Sequence, residues 1–264
     1  MVELQTRPPL VTTPAARRTV VLGVGIDPLT PAQTIERLLR LVRAEPPGRV
    51  IAYANAHTLN LAWTDAAYRA DMAAADLVYA DGQGAVLAAR WCGGPATQRA
   101  NFADIYEPVC AQLAAQGARL FLLGGPPGAA ARAGERLRQR WPALSIVGTQ
   151  PGHFAAAEEP AVAQTIAQAR PDLVLVGMGS PRQEAWAMCH RALPVRAWWC
   201  VGAALELLSG DERWTPAWIR RCGLEWCFRL GRHPRRLWRR YLIGLPLFAW
   251  RLVLWRCLHR QPPA

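Results

Sequence analysis

Residues 171–186 read PDLVLVGMGSPRQEAW, and the rest of the chain is understood outward from this stretch. Leu173, Val174, Leu175 and Val176 form a continuous apolar run of the kind found in a parallel strand buried on both faces. Gly177, Gly179 and Pro181 interrupt it, and helix-compatible polar residues follow. The order is therefore strand, tight loop, helix start. In an open α/β sheet that order sets backbone N–H groups and a helix N-terminus at the carboxyl edge of the strand, where a diphosphate would be stabilised. Any α/β protein can need glycines at such a turn, so the loop acquires a function only with support from elsewhere.

The same unit recurs on either side. Residues 119–123, RLFLL, make a near-continuous apolar strand that runs into Gly124-Gly125-Pro126-Pro127-Gly128 and a helix to about residue 140. Short strands are expected at 146–148 and at 198–201, the latter closing at Gly202 before a helix over 203–208. Upstream, 49–54 is strand-like and leads through NAHTLN at 55–60 into a helix ending near residue 75. Leu77, Val78 and Tyr79 make a further strand that ends at Asp81-Gly82-Gln83-Gly84. Nearer the N-terminus, 19–24 is a short apolar run. Thr30-Pro31-Ala32-Gln33 then reads as a capping box with Pro at the first helical position, followed by Ile35, Leu38, Leu39 and Val42 on one helix face. Another helix spans about 103–116. Repeated strand-loop-helix units predict a Rossmann-like, largely parallel sheet flanked by helices, with its loops on one edge. Asp81 would then stand at a strand's carboxyl end beside glycines that let a ligand approach the backbone, although D-G is also a common turn dipeptide.

The glycine loops exclude some chemistry. GGPPG is neither G-x-G-x-x-G nor a P-loop, since no Lys-Ser/Thr follows, and there is no Tyr-x-x-x-Lys pair; an NAD-linked enzyme loses support. The five histidines are dispersed and no D-x-D pair stands out, so neither a metal nor another cofactor is expected. His57, although in a ligand-facing loop, reads more simply as a capping or packing residue.

Charge is unevenly placed. The 31 basic residues are all arginine, which together with abundant Ala and Pro reads as genome composition. From Arg213 onward there are twelve arginines and a single acid, Glu225, so nearly all of the net +12 lies in this tail. Its arginines at 220, 221, 229, 232, 235, 236, 239 and 240 are interleaved with Trp218, Trp226, Phe228, Leu230, Leu237, Trp238 and Tyr241, a basic amphipathic pattern with interfacial aromatics. Residues 241–258 are apolar enough to raise the question of a membrane span, but Pro246 and the mid-segment Arg251 favour a helix lying in the membrane interface. A nucleic-acid-binding α/β protein is the alternative, disfavoured because the tail has no Ser or Asn and a single Gln, Gln261, for base reading and carries a long apolar segment. Seven scattered cysteines without a C-x-x-C pair suggest reduced thiols, and the N-terminus lacks an apolar signal segment, so a cytoplasmic protein is expected. The organisation predicted is a flexible lead over 1–18, an α/β core over 19–212 and a basic helical appendage over 213–264.

NAHTLNLA at 55–62, ADLVYADGQGAV at 75–86, LFLLGGPPG at 120–128, VGMGSPRQEAW at 176–186 and GLEWCFRLGRHPRRLWRRYL at 223–242 together resemble the WecG/TagA/CpsF glycosyltransferases, glycosyltransferase family 26. The resemblance covers roughly 19–245. It implies an inverting, metal-independent transferase that moves a sugar from a nucleotide donor, usually UDP-linked, to a polyprenyl-diphosphate-linked sugar at the cytoplasmic membrane face. By the same resemblance Asp81 is the general base with Asn55 beside it. Gly124, Gly125, Gly177, Gly179, Gln183, Glu184 and Tyr53 contribute to the donor site, and Arg221, Arg229, Arg232, Arg235 and Arg236 meet the diphosphate or the membrane. Relatives self-associate, which leaves a homo-oligomer open. The sequence departs from the common pattern at Tyr53, where many members carry Thr, at Phe102 for Gly, at Glu206 for Asp and at Trp214 for Arg, which leaves the transferred sugar undetermined.

Overall fold

The computed structural model describes residues 17–95 and 97–259, so the predicted lead lies outside the described residues except for Arg17 and Arg18. Arg18 is held in place by Asp27 at 3.0 Å and by the Ala75 carbonyl at 2.9 Å.

In chain order the elements are β1 (Thr19–Val21), β2 (Val24–Ile26), α1 (Pro31–Val42), β3 (Arg49–Ala54), α2 (Ala56–Thr64), α3 (Ala66–Ala74), β4 (Leu77–Ala80), α4 (Gln83–Trp91), α5 (Phe102–Ala115), β5 (Arg119–Gly124), α6 (Ala129–Arg140), β6 (Ser145–Gln150), α7 (Glu159–Ala169), β7 (Leu173–Gly177), α8 (Arg182–Cys189), β8 (Ala197–Cys200) and α9 (Ala204–Ser209). The tail adds α10 (Ala217–Arg221), α11 (Glu225–Arg232), α12 (Pro234–Trp238), a π-helical turn (Arg239–Ile243) and α13 (Gly244–Leu258). Six strands form one parallel sheet in the order β4-β3-β8-β7-β5-β6. The Rossmann-like expectation holds.

Both faces of the sheet are covered. One hydrophobic cluster joins it to α2, α3, α4, α7 and α8, and the other joins it to α1, α5, α6 and α9. Strand β8 shows why a central parallel strand reads as unbroken apolar sequence: Trp198 packs into the first cluster and Trp199 into the second, both essentially inaccessible.

Three local readings change. The run at 19–24 is a hairpin, with Val21 paired to Val24 and the turn residues Leu22 and Gly23 both at positive φ, +49° and +84°, as a two-residue turn matched to strand twist requires. The helix expected from 55 to 75 breaks at Asp65, whose extended backbone and side chain cap a second helix through the Tyr68 N–H at 2.9 Å. The tail is docked on the core. Phe248 of α13 is buried in the first cluster, Trp255 meets Trp63 of α2 edge to face, and Arg251 donates to the Asn60 carbonyl and Oδ1 at 3.0 and 3.1 Å. Asn60 Nδ2 in turn donates to the Gly244 carbonyl at 2.7 Å. The mid-segment arginine that argued against a span is thus partnered by the protein itself.

Candidate active site

A cavity of about 360 Å³ opens at the carboxyl edge of the sheet, lined from below by residues after β3, β4, β7 and β8 and from above by α10, α11, α12 and the π-helical turn. This edge is where an open parallel sheet binds its ligand, because the strand order there diverges toward β4 on one side and β6 on the other.

The floor is built by helix caps and short loop bonds. Asn55 has an extended backbone at the start of α2, and its Oδ1 accepts from the His57 and Thr58 N–H groups at 3.0 and 3.1 Å. With the oxygen committed to the cap, the amide N–H₂ is what Asn55 can offer the cavity. Asp81 follows β4, tied to β3 by its N–H to the Ala54 carbonyl at 2.8 Å, and Gly82 beside it adopts φ +130°, open to glycine alone. One carboxylate oxygen of Asp81, Oδ1, is enclosed without a hydrogen-bond partner. Burial, then the neighbouring Glu225, raise Asp81 from 3.8 to about 6, while Arg229, Asn55 and Arg99 pull the other way. An acid so placed is poised to take a proton near neutrality.

His57 also lines the cavity. Burial, and behind it the Arg240 guanidinium, push its imidazole down to about 4, so it is neutral at physiological pH. The capping reading of His57 captures its backbone but not its ring. Tyr53 lies under the β8 loop, and burial raises its hydroxyl far above the ordinary tyrosine range, keeping it a neutral donor.

The roof is basic. Arg213, Arg220, Arg229, Arg232, Arg236 and Arg240 all face the cavity. Three are paired: Arg220 with Asp104 at 3.2 Å, Arg229 with Glu225 at 2.8 Å and Arg232 with Glu212 at 3.7 Å. Among the described residues Arg213, Arg236 and Arg240 have no carboxylate within 4.0 Å, and Arg240 Nε is buried without a partner. Unpaired arginines in a concave site define an anion-binding chamber.

The structure sorts the expected residues. Asp81, Asn55, Tyr53, Gly179, Arg229, Arg232 and Arg236 line the cavity. Gly124, Gly125 and Gly177 do not; they pack on one another, since a Cβ at Gly124 would sit 2.4 Å from the Gly177 carbonyl oxygen and one at Gly177 would sit 2.9 Å from that of Gly202. These glycines serve close contact between neighbouring loops. Gln183 and Glu184 lie behind the wall, both fully buried. Gln183 Oε1 accepts the Gly202 N–H at 2.9 Å and its Nε2 donates to Glu184 Oε1 at 2.8 Å, so its amide is spent bracing the β8 loop. Burial raises Glu184, whose Oε1 also accepts from Ser180 at 2.8 Å. Arg221 and Arg235 point to solvent outside the cavity.

Other lining residues escaped the sequence reading as ligand contacts, notably Arg213, Arg220, Arg240, Glu212 and Asn101. Arg240 is delivered by the π-helical turn, whose extra residue resets the helix phase between the roof and α13, and no sequence pattern announces such a turn. All four departures from the family pattern, Tyr53, Phe102, Glu206 and Trp214, face the same cavity.

A doubly wound sheet with a buried acid at the end of β4 and an arginine roof defines an α/β protein with a basic cavity at the carboxyl edge of its sheet. Residues 19–262 match the model of the Glycosyl transferase WecG/TagA/CpsF family, nearly the whole sequence, and the chain belongs to that family. It is therefore a glycosyltransferase.

Proposed function

We propose that the enzyme transfers a hexosyl or N-acetylhexosaminyl group, with inversion and without a metal, from a UDP-sugar to a polyprenyl-diphosphate-linked sugar in the building of a cell-surface or exopolysaccharide. The observation that carries this reading is the enclosure of Asp81, raised to about 6, in a cavity also lined by Arg213, Arg236 and Arg240, which among the described residues have no carboxylate within 4.0 Å. Asp81 takes the proton of the acceptor hydroxyl as its oxygen attacks the anomeric carbon. The bond from that carbon to the UDP oxygen breaks on the opposite face, and UDP leaves with the electron pair. Arg213, Arg236 and Arg240 are free to neutralise the diphosphate as its charge grows, work that a cation performs in other transferases.

Attachment to the inner face of the cell membrane fits the outer side of the roof. Pro234–Leu258 is continuous helix, long and apolar enough by length and composition to cross a membrane. Phe248 and Arg251 tie its inner face to the core, while Trp238, Leu242, Ile243, Leu247, Trp250 and Val253 are exposed. That stripe begins beside Arg236, Leu237 and Tyr241 of the cavity, so a peripheral enzyme resting on it would present its cavity to a lipid-borne acceptor.

The test is incubation with a panel of UDP-sugars and polyprenyl-diphosphate sugars, reading the lipid product by mass, for the wild type and Asp81→Asn. The variant is expected to retain UDP binding and lose turnover by about a hundredfold to ten-thousandfold. Wild-type turnover in the variant would remove Asp81 from the role of base.

A further inference from the structure

The tail carries a single acid among its arginines, and that acid sits at the seam between roof and floor. Glu225, in the first turn of α11, has both carboxylate oxygens engaged. Oε1 pairs with Arg229 Nη2 at 2.8 Å. Oε2 accepts from Asn101 Nδ2 at 3.1 Å and stands 3.8 Å from Arg99 Nη1.

Its two core partners are themselves fixed. Asn101 caps α5 by accepting the Ala103 N–H on Oδ1 at 2.9 Å, which turns its N–H₂ outward to the tail, and Arg99 is locked on Asp104 at 2.7 Å. The Ala100 N–H to the Ala80 carbonyl, 2.8 Å, holds this segment against the end of β4, one residue before Asp81. Asn101, Glu225 and Arg229 therefore form a relay from the core into the roof and back over Asp81. An acid at a helix N-terminus is favoured by the helix dipole alone, but that preference explains neither the asparagine and arginine aimed at it from the core nor the i, i+4 pair with Arg229.

We propose that Glu225 is a positioning residue, holding Arg229 over Asp81 and tying the seating of the C-terminal helices to the catalytic carboxylate. The inference rests on the reading of Asp81 as the base. Around Asp81 stand Tyr53 and Asn55 at the end of β3, Tyr79 of β4, Arg99 before α5, and Glu225 and Arg229 of α11. Of these, the like charge of Glu225 favours protonated Asp81 and the arginines favour the ionised form, so the two members of the Glu225–Arg229 pair act on Asp81 in opposite directions.

The test follows the carboxyl titration of Asp81 by carbon-13 NMR in the full-length protein labelled at aspartate, with the signal assigned by its loss in Asp81→Asn. Glu225→Gln keeps the shape and the Asn101 contact but removes the charge. Arg229→Gln is expected to raise the Asp81 midpoint by about half a unit or more in the otherwise wild-type protein and by clearly less in the Glu225→Gln background, where Arg229 is no longer held over the carboxyl. An equal rise in the wild-type and Glu225→Gln backgrounds overturns the proposal. If Glu225→Gln does not fold, an unmoved or lowered midpoint in Arg229→Gln does the same. If the midpoints move as expected while Asp81→Asn still transfers sugar, the positioning stands and the assignment of Asp81 as base fails; if Asp81→Asn is inactive and the midpoints do not move, the reverse holds.

Discussion

A carboxyl group held in a desolvated site costs the fold stability, and Asp81 makes that cost measurable. In the unfolded chain its carboxyl titrates at an ordinary 3.8, and in the folded enzyme near 6. Well below pH 3.8 both states are protonated and the residue contributes nothing to the pH dependence. Between those values the unfolded chain releases its proton while the native state keeps one, so stability falls as pH rises. Above 6 both are ionised and the full penalty is present, about 3 kcal/mol for a two-unit rise at 1.36 kcal/mol per unit. Asp81→Asn removes the charge and with it this penalty.

Comparing wild type and variant at two pH values cancels whatever the amide itself adds or loses. The gain in stability from Asp81→Asn is expected to be greater near pH 7.5 than near pH 4.5 by about 2 kcal/mol, read from urea unfolding midpoints at matched slopes. Groups remote from Asp81 titrate alike in the two proteins and drop out. An equal effect at both pH values, or a larger gain at the acidic one, would show that the carboxylate is not held in a desolvated site and would refute the electrostatic account of the base.

Two further outcomes probe the surroundings. Gln183→Leu strands the Gly202 N–H and takes away one of the two donors to Glu184 Oε1, so it should lower stability by about 1–3 kcal/mol and reduce transfer while leaving membrane binding alone; an unchanged unfolding midpoint would contradict the bracing role. Replacing Leu242 and Trp250 together by Asp should abolish flotation with anionic liposomes at high salt without changing the melting temperature, because both side chains are exposed. Retention of the wild type on DNA with no liposome association would instead favour a nucleic-acid partner for the arginines.

The parts of the fold visible in the sequence are those that local physics decides. The capping box at Thr30 forms as read, with Gln33 N to Thr30 Oγ1 at 3.2 Å and Thr30 N to Gln33 Oε1 at 2.9 Å, because both partners lie within one helical turn. Strands β5 and β7 are legible because a strand covered on both faces has no polar alternate positions to disguise it. The hairpin at Leu22-Gly23 was hidden because only glycine of the two turn residues advertises a positive φ.

The site was legible as residue types and only partly as geometry. Asp81 and Asn55 stand where strand ends put them, and a strand end can be located from an apolar run. Gln183 shares the loop it was expected to line, yet the helix it begins turns its amide inward to the Gly202 N–H, a contact 19 residues away that the local pattern does not encode. The roof is the extreme case. Twelve tail arginines look alike in sequence, and what separates Arg236 and Arg240 inside the cavity from Arg221 and Arg235 outside it is the phase of the tail helices, shifted at 239–243 and fixed by Phe248, Arg251 and Glu225 against the core. A single acid in a stretch selected for positive charge is itself a signal, because an acid there weakens both membrane attraction and anion binding unless it has a fixed partner. In the sequence Glu225 figured only in the charge count, and it is the distances to Arg229 and Asn101 that give it a partner and a role.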